Sequence, residues 1–250
     1  MVANGLPLLG LLLVLALALF WLTRRARRQA PSVREPRGSR QAQRHVFAAV
    51  ERGHGVHLTL GRGGLAAAAN PVSLAALAAG DALAVPASAA DVAPLVTVGA
   101  GTLLPAGQDA LWRAYRRSGR LVEYKPGLVQ FLADSNHPEA YAAGISYLLA
   151  RQRGGTSLAL GRFGAEVALM TEAARRQRIA QIVGSDDLLG LAAALPGSSG
   201  VLVGEELFAA GAILHERPAQ LASLQLQDAL RLVAIVGLIA AAVIAFVLGG

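Results

Sequence analysis

The sequence predicts a doubly wound α/β fold, a mainly parallel sheet of the Rossmann-like kind, carried between two transmembrane helices. Three observations predict it. Short apolar runs ending in Gly or Asp alternate with Ala-rich helical stretches, the pattern of a parallel sheet covered on both faces. Each end of the chain carries a long apolar run without a charge. Composition agrees, with 54% hydrophobic and only 16% charged residues.

The first apolar run, residues 5–22 (GLPLLGLLLVLALALFWL), holds 18 residues without a charge. At ~1.5 Å per residue that nearly crosses a hydrocarbon core of about 30 Å. A cleaved signal has positive charge before its apolar run and small residues after it. Here residues 1–5 are uncharged and the run closes with Phe20, Trp21 and Leu22, so an uncleaved anchor (1–23) is expected.

An Arg-rich juxtamembrane linker follows. Residues 24–44 hold eight arginines against Glu35 alone, and the other 15 basic residues of the 23 balance the other 15 acidic residues of the 16. The net charge of +7 is therefore local. It marks the cytoplasmic side by the positive-inside rule, suits anionic lipid contact through Arg24, Arg25, Arg27 and Arg28, and gives no reason to expect nucleic acid. Pro, Gly, Ser and Arg with little apolar content make the segment a flexible linker.

The cytoplasmic α/β domain is expected over 45–216. Strands are predicted at 56–60 (VHLTL), 95–98 (LVTV), 129–132 (VQFL), 157–160 (SLAL), 180–183 (AQIV) and 201–203 (VLV). Helices are predicted at 71–83, 105–118, 138–151, 165–178, 186–195 and 205–215. Pro71, Pro105 and Pro138 suit a first turn, where a missing amide donor costs nothing, and Asn70 suits an N-cap. Arg113, Arg116 and Arg117 end one helix and Arg175, Arg176 and Arg178 another, complementing the helix dipole.

Residues 217–231 read as an amphipathic connecting helix, with Leu221, Leu224 and Leu230 near one face. It runs into the second charge-free run, residues 232–250, 19 residues long. The expected protein is thus two-pass in the bacterial inner membrane, its central domain cytoplasmic and both termini outside.

In such a sheet ligands bind at the carboxyl edge, and Gly61, Gly99, Gly161, Gly184 and Gly204 each follow a predicted strand there. Two stretches, LTLGRGGL (58–65) and LALGRFGA (158–165), share the frame L-x-L-G-R-x-G. Either the turns need glycine for backbone conformation or close packing, or they cradle an anion. The stretch Gly61-Arg62-Gly63-Gly64-Leu65-Ala66 fits G-x-G-x-x-A, but the acid at the right distance, Asp81, falls in helical sequence. At Gly99-Ala100-Gly101-Thr102 the third glycine position is Leu104, so that match fails as well.

There is no G-x-x-x-x-G-K-[ST], the single lysine being Lys125, and no G-x-S-x-G elbow. His45, His54, His57, His137 and His215 form no i, i+4 pair, and there is no cysteine, so no metal centre is expected. No particular cofactor is indicated. The candidate ligand-binding residues are Gly61, Arg62, Gly64, Gly99, Gly101, Gly161, Arg162, Glu166, Asp186 and Glu205, beside the further acids Asp134, Asp187 and Glu206. Paired acids after strands suit cation binding or proton transfer; they equally suit capping of helix starts.

The order of features resembles a known pattern: "VTVGAGTLLPAGQD", "GRFGAEVALMTEAARR", "QIVGSDD", "VGEELFAAGA" and "RPAQLASLQLQDALR" between an apolar first helix with its Arg-rich arm and a closing apolar helix. Over nearly the whole chain it is similar to a family of bacterial two-anchor membrane proteins described as a domain of unknown function. That resemblance implies the architecture and carries over no catalytic residue. The expected function is a non-enzymatic scaffold or interaction module, a homo-oligomer or the partner of another membrane protein, with small-residue faces such as Ala209-Ala210-Gly211-Ala212 allowing close helix packing. The alternative is a binding protein or enzyme for an anionic, phosphate-type ligand at the carboxyl edge.

Overall fold

The computed structural model describes residues 37–65 and 71–215 except 91, 135 and 153, together with residues 222–231 and some helical residues within 17–25 and 234–238. The chain divides into two units, Met1–Arg34 with Glu216–Gly250, and Glu35–His215. In the first unit the described residues are helical. Leu17, Phe20 and Trp21 are exposed, as are Ile235 and Leu238, and the Arg25 guanidinium lies 5.5 Å from the centroid of the Trp21 ring. Most of both expected membrane runs, with Arg27, Arg28 and Asn70, lies outside the described residues.

The second unit is an α/β sheet domain. Its elements run α1 (Arg37–Glu51), β1 (Val56–Thr59), α2 (Pro71–Ser88), β2 (Leu95–Val98), α3 (Leu103–Arg117), β3 (Val129–Phe131), α4 (Pro138–Ala150), β4 (Thr156–Leu160), α5 (Val167–Arg176), β5 (Ala180–Ser185), α6 (Leu188–Ala194), β6 (Gly200–Val203) and α7 (Glu205–His215). The six strands are all parallel, in the order β3-β2-β1-β4-β5-β6. This is the doubly wound order, which reverses between β1 and β4.

The two faces of the sheet differ in chemistry. Alternation along a strand sends Leu58 to one face and His57 and Thr59 to the other. Leu58 stands in register with Val96 and Leu158, and Leu158 with Ile182. These residues join the apolar core beneath α1, α2, α3 and α7. On the other face His57 is level with Ser157, Ser157 with Gln181, and Thr59 with Thr97. All five are buried, forming a polar seam under the α4–α6 layer, whose own core centres on Tyr141, Ile145, Phe163 and Met170.

Three expectations need correction. Residues 37–44, read as linker, belong to α1, which buries Gly38, Ser39, Ala42, Val46 and Ala49 along one stripe. Small residues at Gly38, Ser39 and Ala42 disguise that stripe, and Gly38 is required, because a Cβ there would stand 2.7 Å from the carbonyl of Val201. Pro105 is the third residue of α3, a helix that starts at Leu103 after Thr102. Any first-turn position tolerates its missing donor. Finally, the small face at Ala209–Ala212 is used within the domain: Gly211 lets α7 approach α2 so closely that a Cβ would lie 2.7 Å from that of Ala78.

Among the described residues α2 alone is long and apolar enough to cross a membrane, and most of it is buried in this core. Its one charge, Asp81, faces α3, where Arg117 Nη1 lies 3.1 Å and Arg113 Nε 3.4 Å from its two oxygens. The Asp81 side chain is 7% exposed while the arginines are 31% and 36% exposed, so their loss affects stability unequally. Converting both arginines to Met removes the two cations beside a buried carboxylate and is expected to cost about 3 kcal/mol. Asp81→Asn leaves two cations that water can still reach and is expected to cost about 1 kcal/mol. Chemical denaturation of the solubilised chain measures both; equal losses refute this account.

Candidate functional site

The two L-x-L-G-R-x-G copies lie side by side. Register pairs Leu58 with Leu158 and Thr59 with Ala159, so both copies leave the sheet together at the point where strand order reverses. The loop after β1 leads to α2 on one face, and the loop after β4 to α5 on the other. Ligand crevices of doubly wound folds form at such switch points.

Backbone contacts close this one. Arg62 N donates to Arg162 O across it (3.2 Å), while bonds from Leu60 N to Thr97 O (3.0 Å), Gly99 N to Gly61 O (3.0 Å) and Gly161 N to Gly184 O (2.9 Å) extend the β1–β2 and β4–β5 ladders on either side. Gly61 (φ +74°) and Gly161 (φ +136°) hold left-handed conformations at this junction. A Cβ on Gly61 would meet Arg162 N at 2.7 Å, and one on Gly161 would overlap the carbonyl of Leu60. The repeated glycines are thus what lets the two loops touch.

The repeated arginines each reach one loop further along the sheet. Arg62 Nε donates to Glu166 Oε1 at 2.7 Å, and that oxygen also accepts from Gly164 N at 2.9 Å. Both side chains are largely buried, 18% and 6% exposed. Arg162 Nη2 pairs with Asp186 Oδ2 at 2.8 Å in a more open setting, 53% and 26% exposed. Gly99 passes close beneath Arg62, where a Cβ would stand 3.0 Å from its Cγ. Gly64 stands in the same β1 loop, whose next residue, Leu65, donates its amide to Thr102 Oγ1 at 3.0 Å.

The structure therefore brings together Gly61, Arg62, Gly99, Gly161, Arg162, Glu166 and Asp186. Gly101 sits on the exposed turn after β2 with open space at its Cβ position, and Glu205 opens α7 beyond β6, at the far edge of the sheet. Two of the further acids act on backbone: Asp187 caps α6, accepting from Leu189 N at 2.8 Å, and Glu206 accepts from Val203 N at 3.3 Å.

Beneath the crevice lies a cluster that no sequence motif marks. His57 Nδ1 is 3.0 Å from Ser157 Oγ and its Nε2 3.0 Å from Thr97 Oγ1, so one imidazole links three strands. Burial pushes its pKa down to about 4 and holds the ring neutral. Thr59 Oγ1 bonds the hydroxyl of Tyr141, whose pKa burial pushes up to about 12 against the opposing hydrogen bonds from Thr59 and Thr97. A signal existed in the repeat itself, since aligning its two copies sets His57 against Ser157.

Chemically, the crevice has two cations already matched by carboxylates, backbone filling the space between its glycines, and a neutral hydrogen-bonded floor. No group of three or more His, Asp or Glu placed to hold a metal ion occurs among the described residues. No curated protein and no solved structure matches the chain. The match to the family described as a domain of unknown function, DUF6754, spans residues 3–249, and the chain belongs to that family.

Proposed function

We propose that the protein is a two-pass component of the bacterial inner membrane whose cytoplasmic α/β domain is a non-enzymatic interaction module, assembling with itself or with other membrane proteins. One observation carries the module reading: the switch-point crevice, where a doubly wound enzyme holds its ligand, is bridged by the Arg62 N to Arg162 O bond and by close backbone contact at Gly61 and Gly161, with Arg62 and Arg162 paired to Glu166 and Asp186. Membrane anchoring draws its support from the charge-free runs 5–22 and 232–250, the exposed Phe20, Trp21, Ile235 and Leu238, and the arginines of 24–44.

Reporter fusions at the C-terminus test the topology. A reporter active only outside the cytoplasm is expected to work there; full activity of a cytoplasm-only reporter sinks the two-pass reading. Native mass spectrometry in detergent is expected to give assemblies. Only monomer, with no partner recovered after crosslinking, removes the module reading.

A second reading, a phosphate-type ligand at the same edge, is favoured by Arg162, a half-exposed arginine at the switch point. Thermal-shift measurements against nucleotides and phosphate metabolites separate the two readings. A ligand shift that Arg162→Ala abolishes selects the second; shifts unaffected by Arg162→Ala and Arg62→Ala dismiss it.

A further inference from the structure

We propose that the end of the sheet where its strands begin is a docking surface for the anionic leaflet of the bilayer, which seats the domain with its switch-point crevice turned toward the cytoplasm. The proposal rests on the reading of the chain as membrane-anchored, and adds the face by which the domain meets lipid.

Because all six strands are parallel, the helices that follow them start at the carboxyl end of the sheet and finish at the other. Carboxylates are favoured at helix starts and cations at helix ends, so charge placed helix by helix adds up over the whole domain. At the strand-beginning end Arg52, Arg116, Lys125, Arg151, Arg176 and Arg178 are all exposed. Among the described residues the acids there are Glu51, Glu123, paired to Arg120 at 2.7 Å, and Glu172, paired to Arg175 at 2.9 Å and Arg176 at 2.7 Å, fewer than the cations around them. The carboxyl end leans the other way: Asp134, Glu139, Glu166, Asp186, Asp187, Glu205 and Glu206 outnumber Arg37, Arg40, Arg62 and Arg162 there. Beside a negatively charged leaflet the basic end is drawn in and the acidic end repelled.

The basic end also presents apolar tips. The turn Leu121–Glu123 projects between α3 and β3, and its Val122 is 100% exposed, with Leu121 at 40%. The turn is held in place: Arg120 Nη1 donates to the carbonyls of Ala89 (2.8 Å) and Ala90 (2.6 Å). A fixed, fully exposed valine flanked by Arg116 and Lys125 matches a headgroup-level contact, where apolar tips enter the acyl boundary and cations stay at the phosphates. Arg116 stacks on Trp112, 4.7 Å from the ring centroid, adding the aromatic type that membrane interfaces favour.

Because the chain has no cysteine, single-cysteine variants of the full-length protein report position cleanly. Val122→Cys and, at the opposite end, Leu188→Cys are labelled with an environment-sensitive fluorophore in nanodiscs containing phosphatidylglycerol, some carrying nitroxide-labelled lipid. The expected result is quenching at 122 several-fold stronger than at 188. It should fall toward the value at 188 in purely zwitterionic discs or when Arg116→Gln and Lys125→Gln are added. Equal quenching at both sites overturns the proposal. So does a probe at 122 shielded from water yet unquenched by the lipid, which reveals a protein partner. Carbonate extraction of native membranes is read alongside: release of the chain removes the anchoring itself, whereas retention with equal quenching removes only this docking surface.

Discussion

As pH falls from 6.5 to about 4, the sheet domain is expected to lose about 3 kcal/mol through a single imidazole. His57 is fully buried on β1, both ring nitrogens engaged by Ser157 and Thr97. Burial lowers its pKa from 6.5 to about 4, so across that window the unfolded chain binds the proton and the folded chain does not. Stability therefore rises with pH through the window, is fully present above the unfolded value, and is lost as pH falls toward the folded one. Carboxylates titrate in the same range, so the test is a difference: denaturation curves of wild type and His57→Gln at a series of pH values. The variant starts less stable, because glutamine cannot span both hydroxyls, and the gap narrows on acidification. A gap that is constant with pH shows that His57 is not held neutral by burial.

Gly161→Ala is expected to cost about 3 kcal/mol or more, while Gly101→Ala is expected to change stability by less than about 1 kcal/mol in either direction. Both glycines follow strands and both are candidates for a ligand loop from sequence, yet their surroundings differ. Gly161 has φ +136° and a Cβ there overlaps the Leu60 carbonyl, while nothing lies within 4 Å of a Cβ on Gly101. Relief at Gly161 requires the loops after β1 and β4 to separate, which breaks the Arg62 N to Arg162 O bond and displaces the Arg62–Glu166 pair. For a domain of this size the loss corresponds to a fall of about 10 °C in Tm. Calorimetry of both variants decides it, and similar values for the two contradict the steric account.

The sheet was legible because its signals are local. Each of the six strands is a short apolar run closed by a turn residue, and each lies within two residues of its expected position. Helix α1 was not legible, since its buried stripe is built from Gly38, Ser39 and Ala42 and its solvent face from arginines, which together look like a linker. The glycines of the repeat were legible as turn residues, whereas its arginines were not. Their meaning depends on Glu166 and Asp186, which belong to neighbouring loops brought close only by the strand order. Nor did the sequence distinguish Asp187, an N-cap, from Asp186, an ion-pair partner, because the two adjacent carboxylates diverge only once the backbone is placed.

The polar seam beneath α4–α6 bears on how the chain avoids assembling the wrong sheet. Six short strands of Leu, Val, Ile and Ala are nearly interchangeable on their apolar side, and a strand inserted in another place, or slipped by two residues, would bury much the same surface. The hydroxyl and imidazole groups of Thr97, His57 and Ser157 are not interchangeable. The imidazole finds both its partners only when β1 lies between β2 and β4 in native register. Misordered sheets would bury these groups without partners and so lie higher in energy. The seam thus acts as an address code for strand order, and erasing it should yield a chain that still collapses but refolds to mixed products.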